Sequence, residues 1–196
     1  KRGPARSGPF GGFLGPTADP VWSEFRAPGT KTLERDSNTP GIPPKMVADP
    51  YLGILPSDRF ELCKPVEGLT LDRMNPRLSL ARQLDGAGVI EGGEIFERQR
   101  AMAMALTTSG KLGDALDVQR EPMKTRESYG MNLFGQSCLA ARRVLEAGGK
   151  FVTVFWDEYG QVNSGWDTHV FHYPRLRDEL GPGFDNAFAS LLIDLE

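Results

Sequence analysis

The run FVTVFW at 151–156 limits most strongly what this chain can fold into. In extended chain, Phe151, Thr153 and Phe155 face one way, and Val152, Val154 and Trp156 the other. Both sets are largely apolar, the pattern of a strand covered on two faces within a parallel sheet. The run follows SYGMNLFGQSCLAARRVLEAGGK, which predicts a helix with Leu133, Phe134, Cys138, Leu139, Val144 and Leu145 on one broad apolar face. Gly148 and Gly149 supply its left-handed stop. Helix, glycine turn, two-sided strand, polar loop and helix make one layer of a doubly wound fold. The expected class is α/β, a fragment of a doubly wound sandwich.

Upstream the pattern differs. Residues 1–68 are dense in Pro, Gly and Asp, as in GPFGGFLGPTADP and NTPGIPPKMVADP. Phe10, Phe13, Leu14, Trp22, Phe25, Tyr51, Leu52, Ile54 and Leu55 are too many large anchors for a disordered tail, so the segment reads as ordered but irregular, packed on the domain. GGFLGP lacks the Lys-Ser/Thr of a phosphate-binding loop and reads as a structural turn. Residues 69–125 read as a helical layer. DRMNPRLSLARQLDGAG, GEIFERQRAMAMALTTSG and KLGDALDVQREP each carry helical periodicity, and Pro122 ends the third. Leu78, Leu84, Ile95, Phe96 and Met102 are the expected contacts of this layer. Residues 126–196 hold the helix–strand–loop–helix part of the core.

Composition excludes some classes of function. With 23 basic and 26 acidic residues in 196, the net charge of -3 gives no general attraction to nucleic acid or to an anionic membrane. Lys1, Arg2 and Arg6 read as a solvated tail, and Arg142 and Arg143 as a solvated helix face. Cys63 and Cys138 have no CxxC partner, which argues against structural zinc, and Cys138 reads as a small core residue. No apolar window is long enough to span a membrane. The chain begins without methionine and stops at Glu196 within the helical run FASLLIDLE. Both ends are therefore expected to be cut, with any export leader upstream of Lys1.

The chemistry concentrates in NSGWDTHVFHYP, 163–174, which contains both histidines of the chain. In open α/β sheets, ligands gather beyond the carboxyl ends of the strands, where 157–172 would emerge. Asp157, Glu158, Asp167, His169 and His172 are residue types that suit a divalent metal ion, zinc or calcium. Other readings stand beside this one. Asp167 is equally placed to cap a helix starting near Thr168. His169 and His172 share a face only in a helix. Asp157 and Glu158 also fit a solvated loop, and no base accompanies Ser164 or Thr168 as a nucleophile. Trp166 can anchor the loop by burying its ring.

The string YGMNLFGQSCLAARRVLEAGGKFVTVFWDEYG, followed by NSGWDTHVFHYPRLRDELGPGFDNAFASLLIDLE, closely resembles the DUF1501 family of bacterial proteins. FGQSCLAARR and GWDTH are its most specific parts, and GGFLGPTADP and LSLARQLD are also similar to preceding segments of that family. The resemblance implies membership of the alkaline phosphatase and sulfatase superfamily, whose members hydrolyse phosphate or sulfate esters at one or two metal ions in an α/β fold. It also implies an exported or periplasmic protein. The chain is expected to contain the family's middle portion, because later GRTP and DHW-like segments are absent, as is the upstream region expected to hold a metal-binding aspartate and nucleophile. In that superfamily an Asp and a His on one metal commonly stand four apart, whereas here His169 follows Asp167 by two and Phe occupies position 171.

Two functions follow. The first is a metal-dependent hydrolase of phosphate or sulfate esters, small-molecule or carbohydrate, with Asp167 and His169 as metal ligands, His172 as a lesser candidate, and no activity in this segment alone. The second is an exported binding or scaffold protein that keeps the fold and offers Trp166, Phe171 and Tyr173 as an aromatic surface.

Overall fold

The computed structural model describes residues 20–35, 45–62, 110–156, 166, 168 and 172–196. The chain divides into two compact units, Lys1–Glu24 with Glu61–Gly93, and Phe25–Phe60 with Glu94–Glu196. Mixed helices and small sheets make up the architecture. Among the described residues there are two sheets of two strands each. β1 (Ser23–Phe25) pairs with β4 (Phe60–Leu62), and β2 (Lys31–Arg35) with β3 (Lys45–Asp49). The second pair is antiparallel, with Leu33 opposite Val47. Its β-branched Thr32 and Val47 favour extended chain. The described part of the Pro/Gly-rich segment carries short strands between its turns.

In the larger unit the chain after β3 turns sharply. Asp49 Oδ1 accepts the Tyr51 backbone N–H at 2.9 Å, a local turn that Asp side chains favour. Tyr51 and Ile54 are buried, whereas Leu55, also expected as an anchor, is exposed. This turn meets the start of the main helix, since Leu133 N donates to Pro50 O at 2.8 Å and Ile54 N to Met131 O at 3.0 Å. Two bonds across the sequence therefore join the irregular segment to the helical core.

The helices are α1 (Lys111–Leu116), a 3-10 turn (Val118–Arg120), α2 (Met123–Tyr129) and α3 (Leu133–Glu146). The helix expected to run to Pro122 stops earlier, because the Asp117 side chain accepts the Gln119 N–H and competes with the helical ladder. Pro122 instead caps the start of α2. Asn132 caps α3 by accepting Gly135 N–H at 2.8 Å. At the far end Gly148 takes φ 106°, and Gly149 N returns to Val144 O at 2.9 Å, the glycine stop expected from the sequence. Cys138 and Leu139 are buried as expected, but Leu145 is exposed and Gln136 is fully buried.

After 151–156 comes α4 (His172–Arg175), a π turn (Leu176–Leu180) and α5 (Gly181–Leu195). The π turn has a local cause. Pro182 has no N–H to give the helical ladder, and the Gly181 N–H reaches back five residues to Leu176 O. Only glycine fits there, since a Cβ on residue 181 would stand 2.6 Å from that oxygen. Helix α5 packs on α3 and α2 around Leu139, Tyr129, Leu180 and Ala187, all without exposed surface.

One expectation is overturned. Residues 151–156 form no strand, and Phe151 and Phe155 are 87% and 60% exposed. The other side of the segment, Val152, Val154 and Trp156, is half-buried. The alternation is real, but only one face finds a cover. No doubly wound sandwich is formed by the described residues. The two helices expected within 69–109, with Leu78, Leu84, Ile95, Phe96 and Met102, lie outside the described residues, as do GGFLGP, Cys63 and the cluster of Lys1, Arg2 and Arg6.

Candidate functional site

The covered side of 151–156 ends in an aromatic cluster. The Trp156 ring stacks on Tyr51 with centroids 5.4 Å apart and 8° between planes, and lies 4.7 Å from Phe134 at the start of α3. The Tyr51 hydroxyl donates to the carbonyl of Phe155 at 3.4 Å, which ties the same short stretch a second time. Trp166 meets Trp156 edge-on at 5.5 Å and Phe184 edge-on at 6.0 Å. Edge-to-face rings at these distances are favourable by about 0.5–1.5 kcal/mol beyond the area that they bury. Phe184 and Phe188 stack one turn apart on α5. Trp166 thus packs edge-on against two rings while 39% of it stays exposed, and the loop it was expected to anchor lies outside the described residues.

Of the residues predicted to bind metal, His172 is the one described. It is exposed at the first position of α4, its Nδ1 is in hydrogen-bond contact with Thr168 Oγ1, and its ring meets Tyr173 edge-on. If Nδ1 carries the proton and donates to Thr168, the Nε2 lone pair is left for a metal; the other tautomer has none to offer there. Thr168 itself is not helical, and the helix expected to start near it is described from His172. Asp167 and His169 lie outside the described residues, as do Asp157, Glu158, Ser164 and Phe171. Among the described residues no three His, Cys, Asp or Glu side chains gather to hold a metal ion.

The family comparison covers nearly all of this chain. The family described as a protein of unknown function, DUF1501, matches residues 8–196. The chain belongs to the DUF1501 family. None of the curated proteins and none of the solved structures compared with it matches. No described helix of this DUF1501 chain is long and apolar enough to cross a membrane.

Away from the aromatic cluster, the DUF1501 helices are joined by charge. Arg142 and Arg143, expected on a solvated face, are instead largely enclosed. Arg142 donates to Glu121 at 2.8 Å and Asp194 at 2.5 Å, and Arg143 to Glu121 at 2.5 Å and to the Ala115 carbonyl at 2.9 Å. The sequence reading failed because Glu121 and Asp194 are far from the arginines along the chain. Burial works against the charge of Arg142, but Glu121, Glu146 and Asp194 outweigh it and hold its guanidinium protonated beyond the usual range. Tyr129, without exposed surface, donates to Asp194 at 2.8 Å; burial and that carboxylate push its phenol well above the ordinary range.

Two members of the aromatic cluster were not legible as such. Tyr51 is distant in sequence from Trp156, and Gly183 contributes only an absence. A Cβ at Gly183 would stand 3.0 Å from Trp156 Cη2, so the glycine is the notch in α5 that receives the ring. The available signal was a glycine inside a helical run, which costs about 1 kcal/mol relative to alanine and so implies a packing reason.

Proposed function

We propose that this DUF1501 protein is an exported, metal-dependent hydrolase of phosphate or sulfate esters, with Asp167 and His169 as metal ligands and His172 as a lesser third. The observation that supports the reading is the anchoring of Trp166 by Trp156 and Phe184, because it holds the residue directly before Asp167. One carboxylate and two imidazoles form a donor set suited to zinc rather than calcium, which prefers oxygen ligands throughout. Such an ion would polarise the ester oxygen and stabilise the charge that develops on it. His172, with Nδ1 in contact with Thr168, has the kind of partner that orients a ligating imidazole. The substrate would be a small-molecule or carbohydrate ester.

The test is metal content and an ester-substrate screen on the native protein, with Asp167→Ala and His169→Ala beside it. Each variant should lose bound metal and activity while its stability changes by no more than roughly 1 kcal/mol. Full occupancy and activity in both, with early melting, would make GWDTH a structural corner. A second reading, an exported binding or scaffold protein, is favoured by the exposure of Tyr173 at 81% and by the open faces of Trp166, Phe184 and Phe188. It predicts a protein without bound metal whose tryptophan emission changes on adding oligosaccharide.

A further inference from the structure

We infer that residues 151–155 are a docking edge for a second copy of this chain, the two FVTVF runs pairing antiparallel about a two-fold axis at Thr153. The inference concerns assembly and stands apart from the metal-site reading.

The run reads the same in both directions, Phe-Val-Thr-Val-Phe. Paired antiparallel about its centre, it meets itself residue for residue: Phe151 of one copy faces Phe155 of the other, Val152 faces Val154, and Thr153 faces Thr153. Aromatic pairs and Thr–Thr pairs directly opposite each other are among those that stabilise a sheet. Phe151, Thr153 and Phe155 are exposed while Val152 and Val154 are half-buried, the period of two that a strand requires. Pairing would therefore set four rings that now lie in solvent against one another in two cross-strand pairs, a burial of apolar surface that favours association. The backbone is available for it. Among the described residues, none bonds through its backbone to the backbone of 151–155. One edge of the run has a neighbour, since the Phe155 carbonyl accepts the Tyr51 hydroxyl. Successive residues of a strand point their amides and carbonyls to opposite edges, so the other edge carries those of Val152 and Val154. On that edge, a two-fold pairing makes Val152 and Val154 the hydrogen-bonded partners and sets the two Thr153 residues between them, where side chains approach most closely. The run holds no charged residue and no proline, two devices that keep an edge from pairing. Because the two-fold uses the same edge on both copies, pairing closes at a dimer.

The test is sedimentation velocity of the native protein over a range of concentrations, with cysteine cross-linking to read the register. Wild type should pass from monomer to dimer as concentration rises. Thr153→Lys, at an exposed position, should leave the melting temperature unchanged and weaken the dimer by roughly fivefold, since two like charges would then stand opposite each other. Thr153→Cys should oxidise to a covalent dimer well above the background that Cys63 and Cys138 give in wild type. Val152→Cys should not, because its counterpart lies two residues further along the other copy, beyond the roughly 7 Å that a disulfide spans. The amides of Val152 and Val154 exchange by local opening in dilute protein and should slow as the dimer forms. A protein that stays monomeric into the millimolar range overturns the inference, whatever peptide its edge takes up. So does a dimer that Thr153→Lys leaves unchanged, or one that bridges through Val152→Cys as readily as through Thr153→Cys.

Discussion

Gln136 has all of its side-chain hydrogen bonds inside the protein. Its Oε1 accepts from Arg126 Nε at 3.0 Å, and its Nε2 donates to the carbonyls of Arg126 at 2.8 Å and Gly130 at 3.0 Å. Arg126, itself buried, sends Nη1 to the Pro56 carbonyl at 2.9 Å, and burial draws its affinity for the proton down despite the opposing charge of Asp117. Gln136→Leu would strand a buried cation and two carbonyls, so it should lower the unfolding free energy by about 2–4 kcal/mol in a denaturant titration. Cys138 behaves as a core residue. Burial pushes its thiol from an ordinary 9.0 up to about 11. The folded state holds this proton more tightly than the unfolded one, so its share of stability is complete below pH 9 and lost as pH rises towards 11. Thiol-reactive dye at pH 8 should label the native protein slowly and the denatured protein at once.

Among the elements, α3 depends on one glycine. A Cβ on Gly135 would fall 2.0 Å from the Tyr129 carbonyl oxygen and 2.7 Å from that of Gly130. Gly135→Ala should therefore destabilise by more than about 2 kcal/mol, although propensity alone predicts a gain of up to about 1 kcal/mol. Thermal unfolding gives the sign directly, and a stabilised variant would contradict the close approach. Asn132→Ala removes the cap on Gly135 N and should cost about 1 kcal/mol. The run 151–156 belongs to the same scale. Because it forms no ladder, its amides should exchange with solvent by local opening, while those near Leu139 should approach the protection of global unfolding.

At the scale of the larger unit, one network joins helices that are separated in sequence. Glu121 ahead of α2 accepts from Arg142 and Arg143 on α3, and Asp194 near the end of α5 accepts from Arg142 and Tyr129. Glu121→Ala leaves two largely enclosed guanidinium groups short of a carboxylate and should cost about 2–3 kcal/mol, somewhat less than breaking a fully buried pair. A loss below about 0.5 kcal/mol in a denaturant titration would mean that water replaces Glu121 freely. At the same scale, Leu192 and Ile193 are exposed apolar residues of α5 beyond Phe184 and Phe188 of the aromatic cluster.

The sequence by itself determined the local events. Glycines at 148–149 stop α3, apolar periodicity over 133–146 makes it a helix, and Cys138 and Leu139 enter its core face. It also carried the family, through FGQSCLAARR and GWDTH. These features depend on residues within a few turns of one another, where propensity and capping act without knowledge of the rest of the chain. Tertiary structure decided which faces are covered. Alternation in FVTVFW marks two apolar sides, yet only packing decides that Trp156 meets Tyr51 while Phe151 remains in solvent. Arg142 and Arg143 read as solvated until Glu121 and Asp194 arrive from distant positions, and Gly183 becomes a notch only when Trp156 fills it. Burial and pairing are properties of neighbours in space, and the spacing of residues along the chain does not encode which of them will meet.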